Sequence, residues 1–277
     1  EIAGGEGDVN VIGEGSIKRS LQEAREDKDV KAIVLRVNSP GGSALTSELI
    51  WREIEITKKV KPVVVSMGNY AASGGYYIAA NADRIFAEPN TITGSIGVFG
   101  MLPNMNQLGK NIGINAEQVK THENASGYSV FEPIDENFKG FVLESIEKTY
   151  ATFLKRVADG RKMTTEQVDA IAQGRVWTGV DAHKLGLVDE IGGLDAAIKY
   201  AAKLGKTSSY RTENYPEYEK SFEDMLANFT GMAMFKTKEQ LLKEQLGEEG
   251  FQMLEQIKRV KSRKGIQAIM PYEIQIH

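Results

Sequence analysis

Ser73 stands in Gly68-Asn69-Tyr70-Ala71-Ala72-Ser73-Gly74-Gly75, a stretch that follows an apolar run and opens a helical one. Small residues flank its hydroxyl on both sides. A serine on such a turn is exposed at the C-terminal edge of its strand, with little steric cover. The helix behind it points its N-terminal partial positive charge at the same spot. This is the chemistry of a hydroxyl that attacks a carbonyl and leaves an oxyanion to be stabilised. Small residues there also let a strand and a helix pack closely, and the loop alone does not separate the two readings.

A second loop sharpens the choice. Asn38-Ser39-Pro40-Gly41-Gly42 also lies between an apolar run and a helical one. In a parallel sheet two such loops converge on one edge, where α/β proteins bind ligands. Glycine lets a backbone N–H approach a reacting carbonyl closely. The candidate nucleophile is therefore Ser73, with the amides of Gly42 and Gly74 as candidate oxyanion donors. Gly41-Gly42 reads equally as an ordinary turn with a tight left-handed residue.

The elements that position these loops follow from periodicity. Residues 16–27 read as a polar helix and Ala32 to Val37 as an apolar, β-branched strand. Ser43 or Thr46 then caps a helix to about Lys59, with Leu45, Leu49, Ile50 and Ile54 on one face. Pro62 to Met67 is a second strand, residues 68–75 a loop, and Tyr76 to Asn81 a helix. Arg84 to Ala87 is a third strand, stopped by Pro89. Strands alternating with helices at this spacing predict βαβ units and a buried parallel sheet. Helices follow over 134–160 and 164–173, the second opened by a capping-box pair, Thr164 and Gln167. A helix over 180–184 leads into a short strand, and 194–204 is helical again. Residues 217–262 are charged and amphipathic, and read as a helical appendage.

Composition narrows the chemistry. The chain has 277 residues and a net charge of −4, so nothing points to nucleic acid. The short basic cluster from Lys258 to Lys264 reads as a solvated helix end. Without cysteine there is no disulfide, no thiol nucleophile and no thiolate metal site. His122, His183 and His277 form no metal-ligand spacing, and no metal or cofactor is expected. No apolar run approaches the roughly 20 residues that span a bilayer, and no signal peptide is visible. The abrupt start at Glu1 gives the expectation of a piece of something longer. Trp51 and Trp177 read as packing residues, Met67 as core, and Phe99, Met101, Leu102 and Met105 as candidates for an apolar substrate groove.

Four ordered motifs carry a resemblance. Asn38-Ser39-Pro40-Gly41-Gly42-Ser43, Met67-Gly68 with Ala71-Ala72-Ser73-Gly74-Gly75-Tyr76, and Thr93-Gly94-Ser95-Ile96-Gly97-Val98 lie in sequence. Gly174-Arg175-Val176-Trp177 with Gly179, followed by Gly186-Leu187-Val188-Asp189, completes the set. Over about residues 25–205 the chain resembles the S49 peptidase family, of the signal peptide peptidase type, in its serine-bearing C-terminal half. The resemblance implies an α/β, Clp protease/crotonase-like fold of repeated ββα units with a C-terminal helical appendage. Residues 1–205 would be the peptidase domain, and 206–277 a mainly helical appendage or oligomer contact. It further implies Ser73 as nucleophile of a Ser/Lys dyad, Gly42 and Gly74 as oxyanion donors, and no cofactor. The implied activity is serine endopeptidase action on apolar peptides such as cleaved signal peptides. The implied setting is a homo-oligomer, a tetramer in this family, on the periplasmic side of a bacterial inner membrane, with the membrane anchor outside this chain.

The base is the departure. In the short members of the family the lysine falls in the segment matching Thr121–Gly127, which here holds none. In the long members a related N-terminal half supplies it, and that layout is the expectation. Lys110, Lys120, Lys139 and Lys148 are the lysines between Ser73 and Thr149, with Lys120 nearest the expected place. Two other classes stay open on the sequence: a crotonase-like acyl-CoA enzyme, and a non-catalytic assembly half.

Overall fold

The computed structural model describes residues 1–8, 10–117, 119–122, 127–216 and 267–269. The chain divides into two units, Glu1–Arg211 with Gly265–His277, and Thr212–Lys264. Everything below concerns the first unit. The helical appendage expected over 217–262, and with it the basic cluster and His277, lies outside the described residues.

The chain opens with two short strands, β1 (Ile2–Ala3) and β2 (Ile12–Gly13), and helix α1 (Glu14–Glu26). Strand β3 (Ile33–Ser39), strand β4 (Gly41–Ser43) and helix α2 (Ala44–Lys58) form one ββα unit. Strand β5 (Val63–Ala72) leads to helix α3 (Gly74–Ala79), then β6 (Arg84–Ala87) and β7 (Ile92–Gly94). The rest comprises α4 (Asn106–Asn111), α5 (Glu136–Arg161), α6 (Thr165–Ile171), β8 (Val176–Thr178), α7 (Gly179–Lys184), β9 (Glu190–Ile191) and α8 (Leu194–Leu204). Strand β10 (Gln267–Ile269) closes the described chain.

Strand β5 is the axis of the larger sheet. It pairs in parallel with β3, β6 and β7, β6 pairs in parallel with β9, and only β8 runs antiparallel, on β7. Val63 to Gly68 are all buried, the pattern of a strand covered on both faces. One face packs on Ile50, Ile54, Tyr76, Ile78 and Phe153. The other meets α8 through Val64, Phe86, Ala197 and Ala201. Each large apolar side chain so buried contributes about 1.5–3 kcal/mol. A second sheet has the order β10-β4-β1-β2.

Three local expectations change. Residues 68–72 are not loop but the second half of β5, because Tyr70, Ala71 and Ala72 pair with Ile92, Thr93 and Gly94. Glycine and alanine have weak strand propensity, and tertiary pairing overrides it. Gly41 to Ser43 is a strand rather than a bare turn, since β1 and β10 flank it. The buried face of α2 is Ser47, Ile50, Trp51, Ile54 and Thr57, whereas Leu45 and Leu49 face outward. Of the two candidate caps, Ser43 takes the role: its Oγ accepts from the Thr46 amide at 3.3 Å.

The capping box holds as read. The Thr164 hydroxyl accepts from the Gln167 amide at 3.2 Å, and Gln167 Oε1 accepts from the Thr164 amide at 2.9 Å. The acidic residues near the strands are structural. Asp83 accepts from the Val63 amide, Asp189 accepts from the Ile85 amide and pairs with Arg161, and Glu190 pairs with Arg84. Val63 opens β5, so Asp83 sits at the edge of the sheet opposite Ser73.

Candidate functional site

The strand-to-helix junction at Ser73 is sharp. With β5 ending at Ala72 and α3 starting at Gly74, Ser73 alone makes the turn, at φ 53° and ψ −117°. A side-chain-bearing residue in so sparse a region costs on the order of 1–3 kcal/mol and persists only where its surroundings fix it. They do. The Ser73 amide donates to Gly94 O at 2.8 Å, and its carbonyl accepts from the Tyr77 amide at 2.8 Å. Helix α3 is anchored by both tyrosines. Tyr76 donates to Leu187 O at 2.9 Å, and Tyr77 to Glu48 at 2.5 Å. Glu48 is also held by both nitrogens of the Arg156 fork. Burial, then the Glu48 carboxylate, push the Tyr77 phenol up, so it keeps its proton and donates.

The two predicted donor glycines are brought together. A Cβ placed on Gly74 would lie 3.2 Å from the Gly42 nitrogen, 2.6 Å from Ser47 Oγ and 3.0 Å from Ala268 O. A Cβ on Gly42 would fall 1.9 Å from Ile2 O. Backbone leaves no room for a side chain at Gly42, whereas at Gly74 a methyl would have to push aside the Ser47 hydroxyl. Gly41, at φ 109°, makes the left-handed turn into β4. Two glycine amides beside an elbow serine are what an oxyanion hole needs.

The Ser73 hydroxyl is fully buried, and it has no hydrogen-bond partner among the described residues. Among the described residues no base is hydrogen-bonded to it. Lys110, Lys120, Lys139 and Lys148 are all exposed, and the last two pair with Glu136 and Glu144. His122 lies on the surface beside Thr121, and His183 contacts Val188 O at 3.2 Å. Among the described residues no group of His, Cys, Asp and Glu is placed to hold a metal ion.

Beside the elbow, Ser95 is buried and also takes positive φ, at 45°. It borders a cleft of about 400 Å³ whose walls include Val98, Phe99, Ile146 and Tyr150. Of the four residues proposed for an apolar groove, only Phe99 lines this cleft; Met101 and Met105 are half exposed on the surface. Met67 is core, Trp177 donates to Ile171 O at 3.0 Å, and Trp51 packs under the Arg156 guanidinium. The sequence reading missed two features of the site. The support of Ser73 by Gly94 had a signal, the Thr93-Gly94-Ser95 motif. The approach of β10 to Gly42 and Gly74 had none, since three residues so far down the chain carry no pattern of their own.

A serine on a strand–helix elbow, with two glycine backbones close together beside the turn, resembles the arrangement on which serine hydrolases of unrelated folds carry out acyl transfer. The model of peptidase family S49 matches residues 55–208. The chain belongs to that family. It is 48% identical over 204 residues to Protease 4 of Haemophilus influenzae, covering 73% of this chain and 33% of the relative. Protease 4 of Salmonella typhi is 42% identical over 231 residues, covering 83% of this chain and 37% of the relative. The chloroplastic serine protease SPPA of Arabidopsis thaliana is 41% identical over 192 residues, covering 69% and 28%. The chain thus spans about a third of the length of these relatives. Among solved structures, a ClpP1 mutant from Listeria monocytogenes matches with a TM-score of 0.44 at 15% identity, covering 67% of this chain and 86% of that one.

Proposed function

We propose that this chain is the nucleophile-bearing part of a serine endopeptidase, with Ser73 as nucleophile and Gly42 and Gly74 as oxyanion donors. The observation that carries the reading is Ser73 itself: its backbone is strained, its hydroxyl is buried with no hydrogen-bond partner among the described residues, and its neighbour Gly74 lies against Gly42. Ser73 Oγ adds to the carbonyl carbon of a peptide bond and gives its proton to a base. The carbonyl oxygen takes up the negative charge between the Gly42 and Gly74 amides. The carbon–nitrogen bond then breaks, the leaving amine takes the proton, and water later hydrolyses the acyl-Ser73 ester by the same route.

The base is a neutral lysine supplied from outside the described residues, in a further segment of the same polypeptide. Two facts support this: Ser73 Oγ has no hydrogen-bond partner among the described residues, and the matched segment covers only 33% and 37% of the two Protease 4 relatives. Such a lysine needs burial to lower its pKa. The substrates are apolar peptides such as cleaved signal peptides. The half-exposed Met101 and Met105 and the apolar cleft beside Ser95 support that choice. The working form is a homo-oligomer, a tetramer, built around the exposed apolar surface near α4, with 206–277 as a helical appendage or a further contact. It acts at the periplasmic side of a bacterial inner membrane, anchored by a segment elsewhere in the polypeptide. Among the described residues no helix is long and apolar enough to cross a membrane.

The test compares the isolated chain with the full-length protein on an apolar peptide. The isolated, folded chain is expected to turn over on the order of 10²–10⁴ more slowly, the usual contribution of general-base help. Robust turnover by the isolated chain that disappears in Lys120→Ala would place the whole dyad here and overturn the divided site.

A further inference from the structure

The second sheet sets a question about access. Strand β4 carries Gly42, and a peptide whose carbonyl is to lie on the Gly42 amide pairs most simply along that strand. Extended peptides add to a sheet by using an edge with free backbone groups. In this structure β4 has no such edge. Ile2 pairs with Gly42 on one side, and on the other Gln267, Ala268 and Ile269 pair antiparallel with Ser43, Gly42 and Gly41. The occupant of the second side is the chain's own strand, brought back from beyond residue 264.

Its register matters. The Ala268 carbonyl oxygen lies 3.0 Å from the point where a Cβ on Gly74 would sit, and the Gly42 nitrogen lies 3.2 Å from the same point. The Ala268 carbonyl oxygen and the Gly42 nitrogen therefore both lie close against Gly74, which carries the other candidate donor. Ala268 is itself buried, and in this arrangement none of the Ser73 hydroxyl is open to solvent.

We propose that Gln267–Ile269 is a built-in peptide ligand of the site: it pairs with β4 as an acyl donor pairs, its Ala268 carbonyl stands in for the scissile carbonyl, and an incoming peptide displaces it. This rests on the assignment of Ser73, Gly42 and Gly74 made above. Displacement is energetically accessible. A three-residue strand contributes only a few backbone hydrogen bonds, each of modest net value because water competes for the same groups. An incoming extended peptide offers the same backbone groups in exchange. Covalent tethering gives the internal strand a high local concentration, so short or weakly bound peptides lose the competition. The device thus favours substrates that make contacts beyond β4.

Amide hydrogen exchange on the intact full-length protein tests this, before and after Ser73 is modified with a fluorophosphonate. The phosphoryl oxygen and the Ala268 carbonyl compete for the same two amides. Modification is therefore expected to speed exchange at residues 267–269 about tenfold or more, as for a strand released into local opening. Unchanged or slower exchange there, with an adduct on Ser73, overturns this inference alone. Absence of any adduct on Ser73 overturns the nucleophile assignment, and this inference with it. A second arm ends the protein after Lys264. The shortened protein is expected to take the label about tenfold faster, and a synthetic peptide of residues 265–271 to slow it again in a competitive manner. Equal labelling rates, or no effect of the peptide on a folded shortened protein, contradict the proposal. If the shortened protein does not fold, exchange on the intact one decides.

Discussion

The stretch from Val63 to Ala82 and the stretch from Met101 to Glu147 differ in almost every physical respect. In the first, only Asn69 and Tyr70 reach the surface at all, and Tyr76, Met67, Ile78 and Ala72 are wholly enclosed. In the second, Met101, Met105, Leu108, Ile112, Phe141 and Leu143 are about half exposed or more. The contrast is sharpest within α5. Its C-terminal half buries Phe153, Val157 and Ala158 under α3, while its N-terminal half leaves Phe141 and Leu143 in the open. A strained serine needs a neighbourhood that cannot yield, and β5–α3 is built to that requirement. Exposed apolar surface of the second kind marks a place where something else docks. The described residues thus separate an enclosed strand–helix elbow around Ser73 from an apolar margin that stands exposed.

Breaking the rigid side has the largest effect. Ser73→Ala in the full-length protein is expected to lower turnover of an apolar peptide by on the order of 10⁶, as loss of a nucleophile does elsewhere. Its circular dichroism and thermal midpoint stay close to those of the parent. Retention of more than a few per cent of activity would remove Ser73 from the mechanism.

The two halves of α5 give the most direct contrast in stability. Phe153 is fully enclosed and packs tilted against Tyr77 at a ring separation of 4.6 Å, whereas Phe141 is 68% exposed. Phe153→Ala is expected to cost about 3–5 kcal/mol in urea unfolding, and Phe141→Ala less than about 0.5 kcal/mol. Similar losses at both positions in the isolated chain would erase the distinction between core and margin. In the full-length assembly a larger loss for Phe141→Ala would show that the margin is covered there.

Gly74→Ala probes the donor pair. The added methyl meets Ser47 Oγ at 2.6 Å and displaces the amide. Turnover is expected to fall by about 10²–10³, the range for one lost oxyanion donor, with the change in kcat rather than KM. A drop confined to KM would argue against a transition-state role. The smallest effect belongs to the periphery: Thr164→Ala removes a capping hydroxyl and is expected to cost about 1 kcal/mol with activity unchanged.

Much of this was legible in the residues. Apolar β-branched runs gave β3, β5 and β6, and Thr164 with Gln167 gave the start of α6 without ambiguity. The turn at Ser73 was readable from the small residues around it, but those residues suit close packing as well, and only the ordered motifs singled out Ser73, Gly42 and Gly74 as candidates. The end of β5 was not legible, because Gly68, Ala71 and Ala72 owe their strand conformation to β7 rather than to their own preference. The outward turn of Leu45 and Leu49 was hidden for a related reason: the buried face of α2 combines Ile50, Trp51 and Ile54 with the small polar residues Ser47 and Thr57, which an apolar pattern does not pick out. Pairing of β10 with β4 joins residues more than two hundred positions apart, and no local pattern encodes it.

The central claim is that Ser73 is a nucleophile whose base lies elsewhere in the polypeptide. The most direct measurement is to treat the full-length protein and the isolated chain with a fluorophosphonate and map the adduct by mass spectrometry. The account predicts one adduct, on Ser73, in the full-length protein, and little or none in the isolated chain until the remainder of the polypeptide is added back. A full-length protein that hydrolyses peptides while its adduct maps to another residue would contradict it.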